Sequence, residues 1–429
     1  MPKRFKQPTR RKVLQGLGAS ALGASAFASG FAAPALASGR PIKIGFVTPQ
    51  TGPLAIFAEP DDFVLGQFRK ALEGGLMING TKHPVEFIVK DSQSSSNRAS
   101  SVAQELIFED EVDIITATST PDTTNPVADQ AELNGVPCIT NDTPWQPHFF
   151  GRQGDPAKGF DYTFHFFWGL EDIISVFTGI WDAVPTNKVV GALWPNDPDG
   201  NAWGDPNLGF PPVMAQKGYE LVDTGRFQSL TDDFSAQISA FKAAGVEIVT
   251  GVVIPPDFTT FWTQAAQQGF NPKVVNVAKA SEFPQAMAAL GDRAEGLSVE
   301  VWWSPHHPFA SGFTGQSSAE LAAAYEAETG RPWTMPLGFK HSLMEVAIDA
   351  LKRTEDPTDP DSIAAAIRAT SYNSVVGPID FSAGPVPNIA KTPLVGGQWR
   401  VENGTPILDI VENGSAPEVP LTADIRPIA

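Results

Sequence analysis

The sequence predicts an α/β protein folded into two lobes, each built on a parallel sheet. Short apolar runs of strand length alternate with amphipathic helical stretches along most of the chain, the pattern of parallel strands covered on both faces. The alternation falls into two blocks of similar size, which predicts two sheets. The elements after residue 303 are too few for a third lobe. They are expected to complete the first two, with several crossings between lobes, as in a hinged clamp.

In the first block, the apolar residues 42–47 read as a buried parallel strand. A Gly/Pro-containing loop follows, then a helical pattern over 61–74 capped by Asp61. Asn79-Gly80 marks a turn before a strand at 85–89. Val102, Ala103, Leu106 and Ile107 share one face of a helix over 97–110. A strand at 112–115, a helix from Asp122 and a strand around Cys138 close the block.

In the second block, Leu170, Ile173, Ile174, Phe177, Ile180, Trp181 and Val184 follow helical spacing. Strands are expected at 189–193, 219–222, 246–250, 273–277 and 296–302, with helices at 211–217, 231–244 and 257–268 between them. Helices at 317–328, 337–352 and 362–370 follow. Glu402-Asn403-Gly404 between apolar runs signals a hairpin.

Composition narrows the function. The chain has 429 residues, of which 42% are hydrophobic, too many for disorder. One cysteine excludes a disulfide scaffold, and Cys138 reads as a packed thiol. With 48 acidic and 30 basic side chains the formal charge is −18, which argues against a nucleic-acid or anionic-membrane partner. Six of the basic residues lie before residue 13, followed by a Gly/Ala-rich apolar run and Ala35-Leu36-Ala37. That reads as an export signal, with cleavage expected after Ala37. Thr9-Arg10-Arg11-Lys12-Val13-Leu14 resembles the twin-arginine motif. The product is expected in the periplasm, and the acidic excess rises once the signal leaves.

At several places the chain resembles the branched-chain amino acid type of periplasmic binding protein, the solute-binding component of ABC transporters. The carriers are residues 42–53, Lys90-Asp91, Ser119-Thr120-Pro121-Asp122-Thr123-Thr124, Gly135-Val136-Pro137-Cys138-Ile139-Thr140, Ala294-Glu295-Gly296-Leu297 and Gly377-Pro378-Ile379-Asp380-Phe381. The resemblance implies two Rossmann-like lobes joined by three strand crossings. One lobe would comprise 41–163 plus 303–376, the other 164–302 plus 377–429. It also implies a cleft that closes on one small solute, delivery to permease subunits, and a monomer without cofactor or catalytic residues.

Ligands of such sheets sit at the carboxyl ends of strands. Phe57 matches an aromatic residue that lines the family's cleft, or else packs on its own lobe. Ser119 and Thr120, at a helix start, offer hydroxyls and free N–H groups for a carboxylate, and also suit simple capping. Asp142 stands where the family has a small residue, Pro144 where it has a hydroxyl, and Trp145 adds a flat face. Trp203 matches an aromatic that packs on ligand. Lys279 falls where amino-acid binders carry an acid; a slip of three would put Glu282 there. The charge reversal favours a small organic acid, aromatic ones included, over an α-amino acid, with Ser119, Thr120 and Lys279 at its polar ends. Asp142 pairing with Lys279 is the complicating option. Branched-chain or other amino acid or amide binding is the alternative, as is a sensor role. Neither a hydrolase elbow nor a phosphate loop nor a zinc motif occurs, and His306-His307 lacks ligand spacing.

Overall fold

A computed structural model describes residues 39–428; the expected export signal, residues 1–37, lies outside them. In the first large sheet the strand order is Val85–Asp91, Ile42–Thr48, Ile114–Ala117, Cys138–Thr140, Thr163–Phe166 and Ile389–Ala390, with every pairing parallel. In the second it is Glu220–Asp223, Val189–Leu193, Ile248–Val253, Val274–Lys279 and Ser298–Val301, again parallel. Antiparallel strands Val395–Glu402 and Thr405–Glu412 extend its edge. Each sheet has its first strand between its second and third. The order therefore reverses there, opening a crevice at the strands' carboxyl ends.

The continuous apolar run of Ile42–Thr48 follows from cover on both faces. Ile44 and Phe46 pack with Phe68 on one side, while Val47 joins Val102 and Leu106 on the other. Cys138 is buried in that second cluster, and burial pushes its thiol up to about 12. The Asn403-Gly404 signal makes a two-residue hairpin, with φ of 51° and 80° and Glu402 paired to Thr405, the mirror-image turn that such strands favour.

Among the described residues the chain passes between the sheets three times: after Phe166, after Val301 and after Ala390. Two strands fall elsewhere than the expected lobe limits suggest. Thr163–Phe166 straddles the boundary at 163, and Ile389–Ala390 pairs with the first sheet although 377–429 was expected with the second lobe. Asn388 draws that segment across: its Nδ2 donates to the carbonyls of Phe160 and Thr163, and its Oδ1 accepts from the Phe160 N–H. The helix expected from residue 231 begins at Ser235, after a turn in which the Asp233 carboxylate accepts from the Ser235 N–H. No helix among the described residues is long and apolar enough to cross a membrane.

Helix Met335–Arg353 is buried along most of its length in the first lobe. A Cβ added at Gly338 would lie 2.3 Å from the Trp303 ring, so glycine there is a requirement of packing. Gly338→Ala is expected to destabilise the protein by about 1–3 kcal/mol by overpacking, against the helix preference for alanine. Urea denaturation checks this.

Candidate functional site

The carboxyl ends of both sheets face one small cavity. From the first lobe come Phe57, in the turn Ala55–Ala58, then Ser119 and Thr120 after the third strand, and Asp142 and Pro144 after the fourth. Phe167 and Trp168 follow the fifth strand. The second lobe supplies Asp199 and Trp203 from the short helix Pro198–Trp203, Lys279 and Glu282 beyond the fourth strand, and Glu300 and Trp302 from the last parallel strand and its exit. The cavity volume is about 30 Å³, room for roughly two waters. The lobes therefore lie closer together here than a leucine-sized solute between them would allow. Phe57 meets Phe283 edge-on across the closure at 4.8 Å, and Gln285 donates to Glu59.

Three residues of this wall have left-handed or otherwise positive φ. Ser119 has φ 118°, Asp142 60° and Lys279 63°, a region L-residues avoid. Each lies just beyond, or at the end of, a strand. Such strain persists only where surrounding packing enforces it, and it clusters at ligand clamps.

The wall is also rich in unpaired polar atoms. Ser119 Oγ and Thr120 Oγ1 are buried without a hydrogen-bond partner at the start of helix Pro121–Asn134. Thr120 is the N-cap residue of that helix, and the Thr123 hydroxyl accepts from its N–H. Asp142 Oδ1, Asp199 Oδ1 and the indole N–H groups of Trp168, Trp203 and Trp302 are likewise unpaired. Leaving such groups dry costs about 1–3 kcal/mol each.

Lys279 does line the cavity, but its charge is already met. Its Nζ lies 2.7 Å from Asp199 Oδ2 and 3.7 Å from Asp197 Oδ2. Burial works against the ammonium, yet Asp197, Asp199 and Asp122 outweigh it and hold its pKa above the ordinary lysine value. The option of an Asp142–Lys279 pair is not realised. Asp142 instead accepts from the Thr118 hydroxyl, and burial raises its pKa to about 7 against the pull of Lys340. Burial also raises Asp199 to about 6, despite Lys279. Glu282 Oε1 accepts from the Lys279 N–H. Burial, the charge of Glu282 and a hydrogen bond to it raise the Glu300 pKa well above the ordinary carboxylate value.

Six of the seven residues singled out from sequence thus meet in one place: Phe57, Ser119, Thr120, Asp142, Trp203 and Lys279. Trp145 does not. It starts the helix Trp145–Phe149, packs on Phe149, and donates its indole N–H to Glu171. The position three residues past Lys279, Glu282, is present as well as Lys279. Trp168, Asp199, Glu300 and Trp302 were missed. The strand that delivers Trp168 is only four residues long, and Glu300 sits inside an apolar run. His307 is buried and bonded to Ser304, and no group of metal-ligating side chains occurs among the described residues.

The raised carboxyl pKa values set a pH dependence. Asp142 titrates near 7 in the fold but near 4 when unfolded, so the fold binds the extra proton and gains stability as pH falls through 7. Thr118, Lys340, Asp61 and Glu282 are the groups that act on it. The gain is at most about 1.4 kcal/mol per pH unit for one group. Burial holds His165 and His307 down to about 3. They protonate only in the unfolded chain, below about pH 6.5, and oppose the gain there. The thermal midpoint is expected to rise from about pH 8 to about 6.5, and Asp142→Asn to flatten that rise.

Residues 41–401 match the family model described as periplasmic binding protein. The leucine-, isoleucine-, valine-, threonine- and alanine-binding protein of Pseudomonas aeruginosa is 23% identical over 358 residues, covering 82% of this chain and 88% of its own. A leucine-binding protein from Thermotoga maritima superposes with a TM-score of 0.69 at 20% identity, over 87% of this chain and 99% of its own. A solute-binding protein of an ABC transporter from Rhodopseudomonas palustris, solved with 3,4-dihydroxybenzoic acid, gives 0.69 at 23%, over 88% and 99%. With two doubly wound lobes closing on a cavity at their strand ends, and the family model matched along most of the chain, this chain belongs to the periplasmic binding protein family, of type I fold, whose members are solute-binding proteins.

Proposed function

We propose that the chain is the extracytoplasmic solute-binding component of an ABC importer, exported by the twin-arginine route, which captures a small amino-acid- or amide-like solute by lobe closure. The observation that carries this reading is the ring of buried, unpaired donors and acceptors from both lobes around one cavity. A solute with an acceptor end and a donor end satisfies groups on both lobes at once, and so favours the closed state. The acceptor end fits Ser119 and Thr120 at the helix start; the donor end fits Asp142 and Asp199. Phe57, Trp203 and Lys279 complete the proposed ligand contacts. The lobes would follow the limits 41–163 plus 303–376 and 164–302 plus 377–429, apart from the strand that Asn388 draws across.

A plain organic acid is the less supported ligand, because the Lys279 charge is met by Asp199. The aromatic wall of Phe57, Phe167, Trp168, Trp203 and Trp302 keeps a hydroxylated aromatic acid as the second reading, since its hydroxyl would supply the donor end. The P. aeruginosa relative's name points to the first class and the R. palustris structure to the second.

Small-angle scattering with leucine, isoleucine, their amides and hydroxybenzoates tests the proposal. Contraction on adding one of them, with the compound recovered unchanged, is expected. No contraction with any small solute, or chemical conversion of the solute, overturns it.

A further inference from the structure

We infer that the captured solute carries a net positive charge: a small protonated amine on an apolar body, with an uncharged oxygen, in which a carboxylate is dispensable. This deepens the capture reading and rests on the same interlobe cavity.

The charges on the wall do not balance. One lysine, Lys279, stands among Asp197, Asp199 and Glu282, two of them within 4 Å of its Nζ. The other lysine near the site, Lys340, is fully buried on Asp61 at 2.8 Å and donates to Thr48 as well. Its charge is met first by Asp61 in its own lobe, and only its residual pull reaches Asp142. Asp142 adds a further carboxyl from the first lobe, with one oxygen unpaired. Glu300 lines the same cavity as a further carboxyl, with one oxygen unpaired.

The placement of the acids gives them a role in closure. Asp142 belongs to the first lobe, Asp199 and Glu282 to the second, and all three line the same cavity of about 30 Å³. Closing the empty lobes brings these carboxyls together in a poorly solvated space, where they must either repel or take up protons, and both oppose closure. A cation lodged between them reverses the sign: each lobe then gains from approaching the other. An anion would add repulsion, and a zwitterion would cancel its own benefit in part.

The rest of the wall suits such a ligand. Aromatic side chains take up a desolvated cation well, and five of them line this cavity. The unpaired N–H groups of Trp168, Trp203 and Trp302 and the hydroxyls of Ser119 and Thr120 call for an oxygen acceptor. A hydroxyl or amide carbonyl supplies it without a negative charge.

Matched compounds isolate the charge. Leucinamide, leucine and 4-methylpentanoate share one apolar body with net charges of plus one, zero and minus one; phenylalaninamide, phenylalanine and 3-phenylpropanoate form an aromatic set. Calorimetry with the full exported chain is expected to show at least one amide cation binding tenfold or more tighter than its zwitterion, with no binding of the anions. Asp142→Asn, folded by circular dichroism, is expected to weaken the cation tenfold or more. Glu282→Gln serves the same purpose should Asp142→Asn fail to fold. Tighter binding of any zwitterion or anion, no binding of either cation, or undiminished cation binding by the folded variant overturns the inference. If an anion or zwitterion binds and also contracts the protein in scattering, capture stands and only the charge assignment falls.

Discussion

Replacing Lys279 with alanine is expected to destabilise the fold by about 3–5 kcal/mol at pH 8, the range for removing one partner of a buried ion pair. The ammonium and the Asp199 carboxylate are both almost wholly shielded from solvent. Asp197 and Asp122 also depend on that one cation. Without it the carboxylates are left charged in a medium that solvates them poorly, and repel one another. Asp199 already titrates near 6 and escapes by taking a proton when the lysine is gone. The loss is therefore expected to shrink between pH 8 and pH 5. The double variant Lys279→Met/Asp199→Asn removes both charges and is expected to recover part of the stability. Urea denaturation at the two pH values measures all of this. A loss below about 1 kcal/mol, the range for exposed pairs, would place the pair in solvent.

Trp203→Ala is expected to lose about 3–5 kcal/mol by leaving a void in the core. The indole is fully buried, stacks on Phe210 at 5.2 Å, and meets Phe177 edge-on at 5.8 Å. Its other side belongs to the cavity wall, so truncation both loosens the second lobe and enlarges the capture site. Trp203→Phe retains an aromatic surface for Phe210 and is expected to lose about 1–2 kcal/mol less than the alanine variant. Denaturation midpoints distinguish the two. Equal losses would mean that the contact with Phe210 contributes nothing.

Two sheets and the loops that converge were legible because buried parallel strands are continuous apolar runs, as in Ile42–Thr48 and Ile248–Val253. Loops after such strands carry the site whatever the ligand, and the resemblance to the family picked out Phe57, Ser119, Asp142 and Lys279 within them. What those side chains do there was less legible. Whether Lys279 is free or paired depends on Asp197 and Asp199, some 80 residues away in the chain and brought close only by the pairing of strands. Trp145 was misplaced because two side chains, Pro144 and Trp145, leave the same loop in different directions, one into the cavity and one toward Glu171. The strands Thr163–Phe166 and Ile389–Ala390 are too short for their period to be read.

The late return of Ile389–Ala390 to the first sheet bears on how the protein is made. A ribosome adding residues in order would have nearly all of the first lobe's strands in hand by residue 166, yet that sheet lacks its last edge strand until residue 390 is out. The second sheet waits longer still for its closing hairpin, Val395–Glu402 with Thr405–Glu412. Neither lobe can finish early and shelter the other, and such long-range pairings form slowly. A chain that stalls or is clipped before Ile389 leaves two unfinished sheets with open edges, a template for aggregation.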